Sequence, residues 1–362
     1  MSARRGSAGA GSMDALVLHA VGDLRLDRVA RPAPRAGEAL VRVAFCGVCG
    51  SDIPRIYDKG TYSFPLIPGH EFAGTVEAVG EAVGAFRPGD RVAVFPLVWC
   101  GHCAACERGR YAQCADYDYL GSRSDGAFAE YVVAPARNLV RVPDGLSLEA
   151  AAMAEPAAVA LHALRRAGGP LAGEAVAVFG AGPVGLIVAQ WARATGAACV
   201  LIFDVAEDKL DLARRLGFED VFDARAVDPV KEVECRTRRE GAHVAVEAAG
   251  VPKTTVQAIE SARRAGRVVL LGNPSGDVAL PAALVSRAMR RELDIRGTWN
   301  SDFSLAGDDD WRASLEAAAR GTIELEPLVS HRLGLREALD ALAAMRARSG
   351  RFAKVLIEPG AA

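Results

Sequence analysis

The chain has 362 residues, of which 51% are hydrophobic, and its 43 basic residues nearly balance its 45 acidic ones. This length allows two compact domains, and the even charge without long runs of one sign argues against nucleic acid as a main partner. No apolar run approaches the roughly 18 residues that span a bilayer. We therefore expect a soluble, cytoplasmic protein that binds neither nucleic acid nor a membrane.

The first twelve residues, "MSARRGSAGAGS", are small, polar and rich in glycine, and they lack the apolar core of a signal peptide. We expect residues 1–12 to be a disordered leader. From residue 13 to about residue 143, short alternating runs such as "LVRVAF" and "DRVAVF" are separated by glycine, proline and aspartate. This pattern predicts an irregular, mostly β domain.

Three short motifs in this β region and just after it carry candidate metal ligands. "FCGVCGSDIPR" contains Cys46 and Cys49, "IPGHEF" contains His70 and Glu71, and "MAEPAAVALHA" contains Glu155. A cysteine, a histidine and a glutamate with one open coordination position are what a catalytic zinc needs, because the open position holds water or a substrate oxygen. Whether Cys46 and Cys49 act as a pair depends on which distant ligands reach them.

A cluster of cysteines, "CGHCAACERGRYAQC", follows in the same region. Its thiols belong to Cys100, Cys103, Cys106 and Cys114. In a chain of this size without a secretory leader, clustered cysteines indicate a metal site before disulfides, and this spacing favours a closed, structural zinc site. An iron–sulfur cluster usually has other spacings, and a zinc ribbon for nucleic acid would carry a basic face, which Glu107 and Asp116 weaken. His102 is expected to be an exposed loop residue.

From about residue 148 the sequence changes to helical spacing and then to strands and helices in alternation. "AVAVFG", "CVLIFD", "HVAVEAAG" and "RVVLLG" have the length and apolar content of short buried strands. This alternation predicts a doubly wound parallel sheet, and hence an α/β fold. An amphipathic helix, "LREALDALAAMRARS", and a strand, "AKVLIEP", follow near residue 350.

A glycine-rich loop, "GAGPVG", comes directly after the first of these strands. Gly180 permits the tight turn, Gly182 lets a pyrophosphate approach the backbone, and Gly185 lets helix and strand pack closely. The second strand ends at Asp204, nineteen residues past Gly185, where an acid bonds the ribose hydroxyls. Because Asp204 would repel a 2′-phosphate, NAD is favoured over NADP, and the alternative is a glycine turn in an unrelated α/β fold. The predicted cofactor-binding set also includes Pro183, Val184 and Lys209.

Together, "CGVCGSD", "PGHEFAGTVEAVG", the four-cysteine cluster, "EPAAVALHA" and "GAGPVG" resemble the zinc-containing medium-chain alcohol and polyol dehydrogenases. The resemblance runs from about residue 13 to the end of the sequence, and its motifs look most like those of the galactitol-1-phosphate and sorbitol dehydrogenases. It implies a GroES-like, mostly β catalytic domain over residues 13–165 and 300–362. It also implies a Rossmann NAD-binding domain over residues 166–299.

The resemblance also implies roles for individual residues and two zinc ions per chain. The ligands of the catalytic zinc would be Cys49, His70 and Glu155, and Cys46 would not be a ligand. Glu71 is the neighbouring carboxylate that approaches the metal directly or through water. Ser51 matches the hydroxyl that relays the substrate proton, and Asp52 matches the acid that orients the ligand histidine. Alcohol dehydrogenases often carry a histidine where this chain has Pro54, which leaves the outer proton relay open.

The leading hypothesis is a zinc-dependent oxidoreductase that transfers a hydride between NAD and a secondary alcohol of a polyol or polyol phosphate. Arg55, Lys59 and Arg123 border the zinc segments and are candidate ligands of a substrate phosphate, although surface arginines are common. Trp299 is a candidate substrate contact. One alternative is a cyclitol or amino-cyclitol dehydrogenase of secondary metabolism, and another is a non-catalytic zinc- and NAD-binding protein. We expect a homodimer or a homotetramer.

Overall fold

The computed structural model describes residues 7–169 and 171–361, and the chain divides into two units. The second unit consists of Pro156–Ser301 and Arg320–Leu328, and the segments before, between and after these ranges form the first. The sequence predicts the domain boundary after residue 165, whereas the first segment of the first unit ends at Glu155. The second unit also includes Arg320–Leu328, which the sequence-based boundaries place in the catalytic domain. Within the described residues, we find no helix with both the length and the apolar content that a bilayer crossing requires.

The first unit is rich in strands, as the alternating pattern predicts. Its early strands are β1 (Ser7–Ala20), β2 (Asp23–Ala33), β3 (Glu38–Gly47), β4 (Glu71–Val79), β5 (Arg91–Val94), β6 (Leu97–Val98), β7 (Asp118–Tyr119), β8 (Tyr131–Pro135) and β9 (Leu139–Arg141). Short α-helices lie among and after these strands, which are α1 (Asp52–Pro54), α2 (Ala104–Glu107) and α3 (Leu148–Ala151). β1 begins at Ser7, which differs from the disordered leader predicted over residues 1–12, of which residues 1–6 lie outside the described part of the chain.

The second unit alternates strands and helices. After α4 (Ala154–Arg166) come β10 (Ala175–Phe179), α5 (Pro183–Ala194), β11 (Cys199–Asp204), α6 (Glu207–Arg215), β12 (Val221–Asp223), α7 (Pro229–Arg236), β13 (Ala242–Glu247), α8 (Pro252–Ser261), β14 (Ala262–Leu270), α9 (Ala282–Arg290) and β15 (Asp294–Gly297). The strands form one parallel sheet in the order β12-β11-β10-β13-β14-β15. This order confirms the predicted doubly wound sheet, and it reverses between β10 and β13, where such sheets bind ligands.

The remaining elements are α10 (Asp310–Ala319), β16 (Val329–Leu333), α11 (Leu335–Ala347) and β17 (Lys354–Ile357). β16 and β17 complete the main sheet of the first unit, whose order is β16-β17-β3-β4-β5-β9, with β8 paired to β3. β17 runs antiparallel to β3 and pairs Ile357 with Cys46 and Leu356 with Gly47. A strand from the end of the chain therefore lies directly beside the segment that leads to Cys49.

Each unit has its own apolar core. In the second unit, Phe203 stacks between Phe179 and Phe222, with ring centroids 5.3 Å apart on both sides. In the first unit, Phe95 stacks on Phe303 at 4.5 Å. Burying one such side chain contributes up to about 3 kcal/mol of stability. These cores make rigid supports for the strand ends that carry the candidate site residues.

Candidate active site and metal centres

The four cysteines of the predicted structural site come together in one cluster. All four sulfur atoms lie within 4.8 Å of one another. The separations are 3.9 Å for Cys100–Cys106, 3.5 Å for Cys103–Cys106 and 3.9 Å for Cys103–Cys114. A tetrahedral zinc with Zn–S bonds of about 2.3 Å would place its sulfur ligands about 3.8 Å apart. The cluster therefore has the size of a zinc–thiolate site.

The thiols of this cluster already have unequal acidities. Backbone N–H groups of Ala115 and Cys106 lower the pKa of Cys103 to about 6. Burial raises the pKa of Cys106 to about 12. Such a mixture suits a site where a bound cation converts the remaining thiols to thiolates. His102 is exposed, and its Nδ1 lies 3.1 Å from the carbonyl oxygen of Cys100, so its ring is directed at the backbone.

A second group of donor atoms forms where β3 and β4 pair. Cys49, His70 and Glu71 each place a donor atom within 4.8 Å of the other two. The register pairs Gly47 with Glu71, and this brings the segment after β3 beside the segment before β4. His70 and Glu71 are buried, whereas Cys49 is half-buried. The sulfur, imidazole and carboxylate fit a zinc site that is accessible from one side.

Glu155 lies near this group but does not belong to the set of three close donors that the described residues form. Its side chain is buried, at 8% exposure. Burial and the negative charge of Glu71 raise the pKa of Glu155 to about 7. The carboxyl of Glu155 therefore interacts electrostatically with the group formed by Cys49, His70 and Glu71. A cation bound to that group would favour the ionised form of Glu155.

Asp52 links the cysteine and the histidine. Its Oδ2 accepts a hydrogen bond from the backbone N–H of Cys49 at 2.9 Å, and its Oδ1 lies 3.4 Å from Nδ1 of His70. Oδ1 also accepts from Nη1 of Arg55 at 3.0 Å. Burial alone would raise the pKa of Asp52, but His70 and Arg55 hold it below its ordinary value. This fully buried carboxylate can fix the orientation of the imidazole, which is the role predicted for it.

The contact between Asp52 and His70 also changes the pKa of the imidazole. Burial opposes protonation of His70, but Asp52 and Cys49 outweigh burial and raise the pKa of the imidazole well above its ordinary value. Ser51 precedes α1 and is exposed, and its hydroxyl makes no capping bond. Because the hydroxyl of Ser51 does not cap the helix, it is free to take part in proton transfer.

A buried lysine, which we did not predict from the sequence, holds Glu71. Lys354 of β17 is 3% exposed, and its Nζ donates to Oε2 of Glu71 at 2.5 Å and to the carbonyl oxygen of Val48 at 3.2 Å. Burial would lower the pKa of Lys354, but Glu71 and Cys49 raise it, so the ammonium stays charged. A Cβ atom on Gly47 would lie 2.4 Å from Oε2 of Glu71, so only glycine leaves room for this arrangement. The signal for this pair was a single lysine inside an apolar strand, "AKVLIEP".

Arg123 is held between two aromatic rings. Its guanidinium carbon lies 4.3 Å from the ring centroid of Tyr62 and 4.2 Å from that of Tyr117. The rings continue from Tyr117 to Tyr119 at 6.3 Å, and from Tyr119 to His70 at 5.7 Å. This row of rings connects Arg123 to the metal centre, whereas Arg55 reaches it through Asp52. Lys59, the third candidate for a substrate phosphate, is exposed.

The predicted dinucleotide loop joins β10 to α5. Gly180 has φ of +112°, and a Cβ there would lie 2.7 Å from the backbone nitrogen of Ala249. Gly182 is the residue before the helix, which begins at Pro183 and continues through Val184. A Cβ on Gly185 would lie 1.9 Å from the carbonyl oxygen of Gly180. Bulkier residues at Gly180 or Gly185 would therefore displace this loop, whereas the space beside Gly182 is open.

Asp204, at the end of β11, touches the same loop. Its Oδ2 accepts from the backbone N–H of Ala181 at 2.7 Å, and its Oδ1 accepts from Val205 at 2.7 Å and Ala206 at 2.9 Å. Nζ of Lys209 lies 4.0 Å from Oδ2. The carboxylate is thus fixed beside the glycine loop in the position where an acid would bond ribose hydroxyls.

Glu247 is a second buried acid that the sequence did not single out. It lies at the end of β13, is 1% exposed, and its Oε1 accepts from the backbone N–H groups of Ala249 and Gly250 at 2.9 Å and from Thr254 at 2.7 Å. These bonds hold the segment that packs against Gly180. In the sequence, Glu247 could have been noticed as an acidic residue inside the apolar run "HVAVEAAG". Trp299, the candidate substrate contact in the second unit, is 57% exposed.

Comparisons with known proteins extend over both units. The alcohol dehydrogenase GroES-like domain matches residues 35–144, and the zinc-binding dehydrogenase family matches residues 183–320. Galactitol 1-phosphate 5-dehydrogenase of Escherichia coli K12 is 35% identical over 322 residues, which are 89% of this chain and 92% of that protein. Sorbitol dehydrogenase of Bacillus subtilis 168 is 33% identical over 355 residues, which are 96% of this chain and 98% of that protein.

The fold is similar as well. The crystal structure of galactitol-1-phosphate dehydrogenase from Escherichia coli superimposes with a TM-score of 0.90 at 34% identity, covering 96% of this chain and 100% of that one.

Proposed function

The chain belongs to the zinc-containing medium-chain alcohol dehydrogenase family, and on that premise we propose that it transfers a hydride between NAD and a secondary alcohol of a polyol or polyol phosphate. The reaction converts the alcohol to a ketone and is reversible. The observation that carries the proposal is the convergence of Cys49, His70 and Glu71 within 4.8 Å, beside a fully buried Asp52.

The residues would hold two zinc ions, one in the four-cysteine cluster and one at Cys49 and His70 with a carboxylate of Glu155 or Glu71. A catalytic zinc supplies a Lewis acid that lowers the pKa of an alcohol, as it lowers that of water to about 7. Asp52 keeps the imidazole of His70 in one orientation. Oγ of Ser51 takes the proton that the alcohol gives up and passes it to solvent or to a substrate hydroxyl.

In the second unit, the glycine loop and the start of α5 would bind the pyrophosphate of the cofactor. NAD supplies the hydride acceptor. The carboxylate of Asp204 would accept hydrogen bonds from the ribose hydroxyls. Its negative charge disfavours binding of the 2′-phosphate of NADP. Lys209 lies close enough to orient that carboxylate. These contacts support NAD as the preferred cofactor.

Arg55 and Arg123 support a phosphorylated substrate. Stacking between Tyr62 and Tyr117 reduces the freedom of the Arg123 guanidinium before a ligand arrives, and arginine suits bidentate phosphate binding. One relative carries the name of a galactitol phosphate enzyme and the other that of a sorbitol enzyme. A cyclitol or amino-cyclitol would use the same chemistry and stays the alternative substrate.

The test is a screen of the zinc-loaded protein with NAD and NADP against matched pairs, each a polyol and its monophosphate, together with cyclitols. We expect NADH formation with a polyol pair and a higher kcat/KM for the phosphate. Equal kcat/KM within a pair, unchanged by Arg55→Ala and Arg123→Ala, would reject the phosphate role. Turnover of cyclitols alone would select the alternative substrate. Two bound zinc ions without any turnover would favour the non-catalytic zinc- and NAD-binding protein.

We also propose a homodimer or homotetramer in the cytoplasm. β15 is the outer strand of its sheet, and it carries Ile295, which is 41% exposed. Val285 and Met289 of α9 are 44% and 73% exposed. An exposed sheet edge beside apolar side chains is suited to a second copy of the chain. Light scattering coupled to size exclusion would measure the oligomer, and Met289→Glu should weaken it.

A further inference from the structure

Tyr119 lies next to the predicted catalytic metal centre, and the fold does not use its hydroxyl. The phenol ring packs edge-on against the imidazole of His70, with ring centroids 5.7 Å apart. Tyr119 is half-buried. In the part of the chain that the structure describes, its hydroxyl makes no hydrogen bond and is not among the polar atoms sealed from solvent. The hydroxyl is therefore open to a small molecule that binds at this centre.

The backbone around Tyr119 fixes the position of the phenol. β7 pairs with β6, and the register places Tyr119 opposite Leu97. The carbonyl oxygen of Tyr119 accepts hydrogen bonds from three backbone N–H groups of the following turn, at 3.2 Å from Ser122, 2.9 Å from Arg123 and 3.3 Å from Ser124. A side chain on such a support loses little freedom when a ligand binds, so its hydrogen bond is well suited to discriminate between ligands.

Two of the predicted zinc ligands lie close to this phenol. Burial raises the pKa of Tyr119 well above its ordinary value, and the negative charges of Glu155 and Cys49 raise it further. Both charges therefore act on the hydroxyl over a short distance. A protonated phenol offers a ligand one donor and an acceptor. This function is separate from that of Ser51, whose hydroxyl takes the proton of the reacting alcohol.

Tyr119 also lies in the middle of a row of side chains that leads away from the metal centre. The ring of Tyr117 is 6.3 Å from that of Tyr119, and the guanidinium carbon of Arg123 is 4.2 Å from the ring centroid of Tyr117. A substrate with its reacting oxygen beside His70 and a phosphate at Arg123 would extend along this row. Its hydroxyl nearest to the reacting carbon would then lie beside Tyr119.

We propose that Tyr119 is a specificity-determining residue whose phenol forms a hydrogen bond with the hydroxyl on the carbon next to the oxidised one. The substrate class is then a vicinal diol, in an open chain or in a ring, rather than a simple secondary alcohol. A site built to bond a substrate hydroxyl discriminates against the analogue that lacks it, because the analogue leaves the phenol unpaired. This inference rests on the proposed function and deepens it, since it concerns a substrate bound beside Cys49 and His70.

The experiment uses two pairs of alcohols that differ by one hydroxyl, butane-2,3-diol with butan-2-ol and cyclohexane-1,2-diol with cyclohexanol. With the full-length, zinc-loaded protein and NAD, we expect a higher kcat/KM for the diol than for its partner. Tyr119→Phe removes only the hydroxyl, and it should lower kcat/KM about tenfold for the diol and less than about twofold for the monoalcohol. Calorimetry with NADH bound, where the alcohols cannot react, should show about a tenfold higher Kd for the diol alone.

Tyr131→Phe is the matched control. It removes a phenol hydroxyl from β8, where Arg31 covers the ring at 3.9 Å, and it should leave both ratios of diol to monoalcohol unchanged. Because the hydroxyl of Tyr119 bonds to no described residue, Tyr119→Phe should also keep Tm within about 1 °C of the wild type. A large fall in Tm would show that the hydroxyl supports the fold and would overturn the inference.

The remaining outcomes separate this inference from the proposed function. Equal use of diol and monoalcohol by the wild type would overturn the inference, as would equal losses for both in Tyr119→Phe. A ratio and a Kd that Tyr119→Phe leaves unchanged, in a protein that still oxidises alcohols, would overturn the inference alone. Protein with two zinc ions that oxidises none of these alcohols and none of the polyols or cyclitols would overturn the proposed function as well.

Discussion

Cys46 and Cys49 provide a matched pair of substitutions in one short segment. Cys49 contributes a donor atom to the metal centre, whereas Cys46 is fully buried in β3, opposite Phe72 and Ile357. The sulfur of Cys46 makes a weak contact with the carbonyl oxygen of Gly47 at 3.8 Å. We expect Cys46→Ala to keep the catalytic zinc and turnover, and Cys49→Ser to lose both.

The size of the Cys46 effect follows from its burial. Removing one fully buried sulfur resembles the loss of a methyl group in an Ile→Val change, which costs about 0.5–1.5 kcal/mol. For a unit of this size, each kcal/mol lowers Tm by about 2–4 °C. Cys46→Ala should therefore melt a few degrees lower, without the loss of metal-linked stability that Cys49→Ser produces by emptying the site.

The assay measures zinc per chain by mass spectrometry, kcat, and Tm with and without EDTA for both variants. We expect two zinc ions in Cys46→Ala and one in Cys49→Ser. If Cys46→Ala also loses a zinc ion and its turnover, then Cys46 is a ligand and the donor set around Cys49 is wrong. A Cys49→Ser protein with two zinc ions and full activity would refute the catalytic centre itself.

Three further predictions concern the second unit. Asp204→Asn removes one charge beside the glycine loop, and the loss of a charge-assisted hydrogen bond, about 1.5–3 kcal/mol, should raise the Kd of NADH roughly 10- to 100-fold in a fluorescence titration. An unchanged Kd and unchanged preference for NAD over NADP would contradict the role of Asp204. Glu247→Ala removes the oxygen that accepts three hydrogen bonds, so it should weaken NADH binding and lower Tm. Glu247→Gln keeps an acceptor oxygen and should change the Kd of NADH and Tm less. Equal effects of the two variants would show that the acceptor oxygen does not stabilise this segment. Trp299→Ala, at an exposed position, should leave Tm within about 1 °C and raise KM for the substrate, since surface changes usually stay within ±0.5 kcal/mol. An unchanged KM would remove Trp299 from the substrate site.

The dinucleotide loop could be predicted because its information is local. Gly180 and Asp204 lie at the ends of two strands that pair side by side, and the conformations they need depend on neighbouring residues. The four-cysteine cluster was predictable for the same reason, since its ligands fall within fifteen consecutive residues, "CGHCAACERGRYAQC". In both places short spacing in sequence determines short distance in space.

The Lys354–Glu71 pair could not be found in this way. The two residues are 283 positions apart and meet only because β17 pairs with β3, a register that depends on the whole first unit. The strand at Ser7 differs from the predicted leader for a related reason. Its partner is Ala33 of β2, and backbone pairing does not require the apolar side chains whose absence suggested disorder.

The position of β17 in chain order also has a consequence during synthesis. The four thiols of the cysteine cluster have all been made once Cys114 leaves the ribosome, so this donor set is complete while translation continues. The buried partner of Glu71, Lys354, arrives only when β17 has emerged and paired beside β3, after the entire second unit has been made. A ribosome stalled before Lys354 would therefore carry a nascent chain in which the four clustered thiols are complete while the carboxylate of Glu71 still lacks its counter-charge.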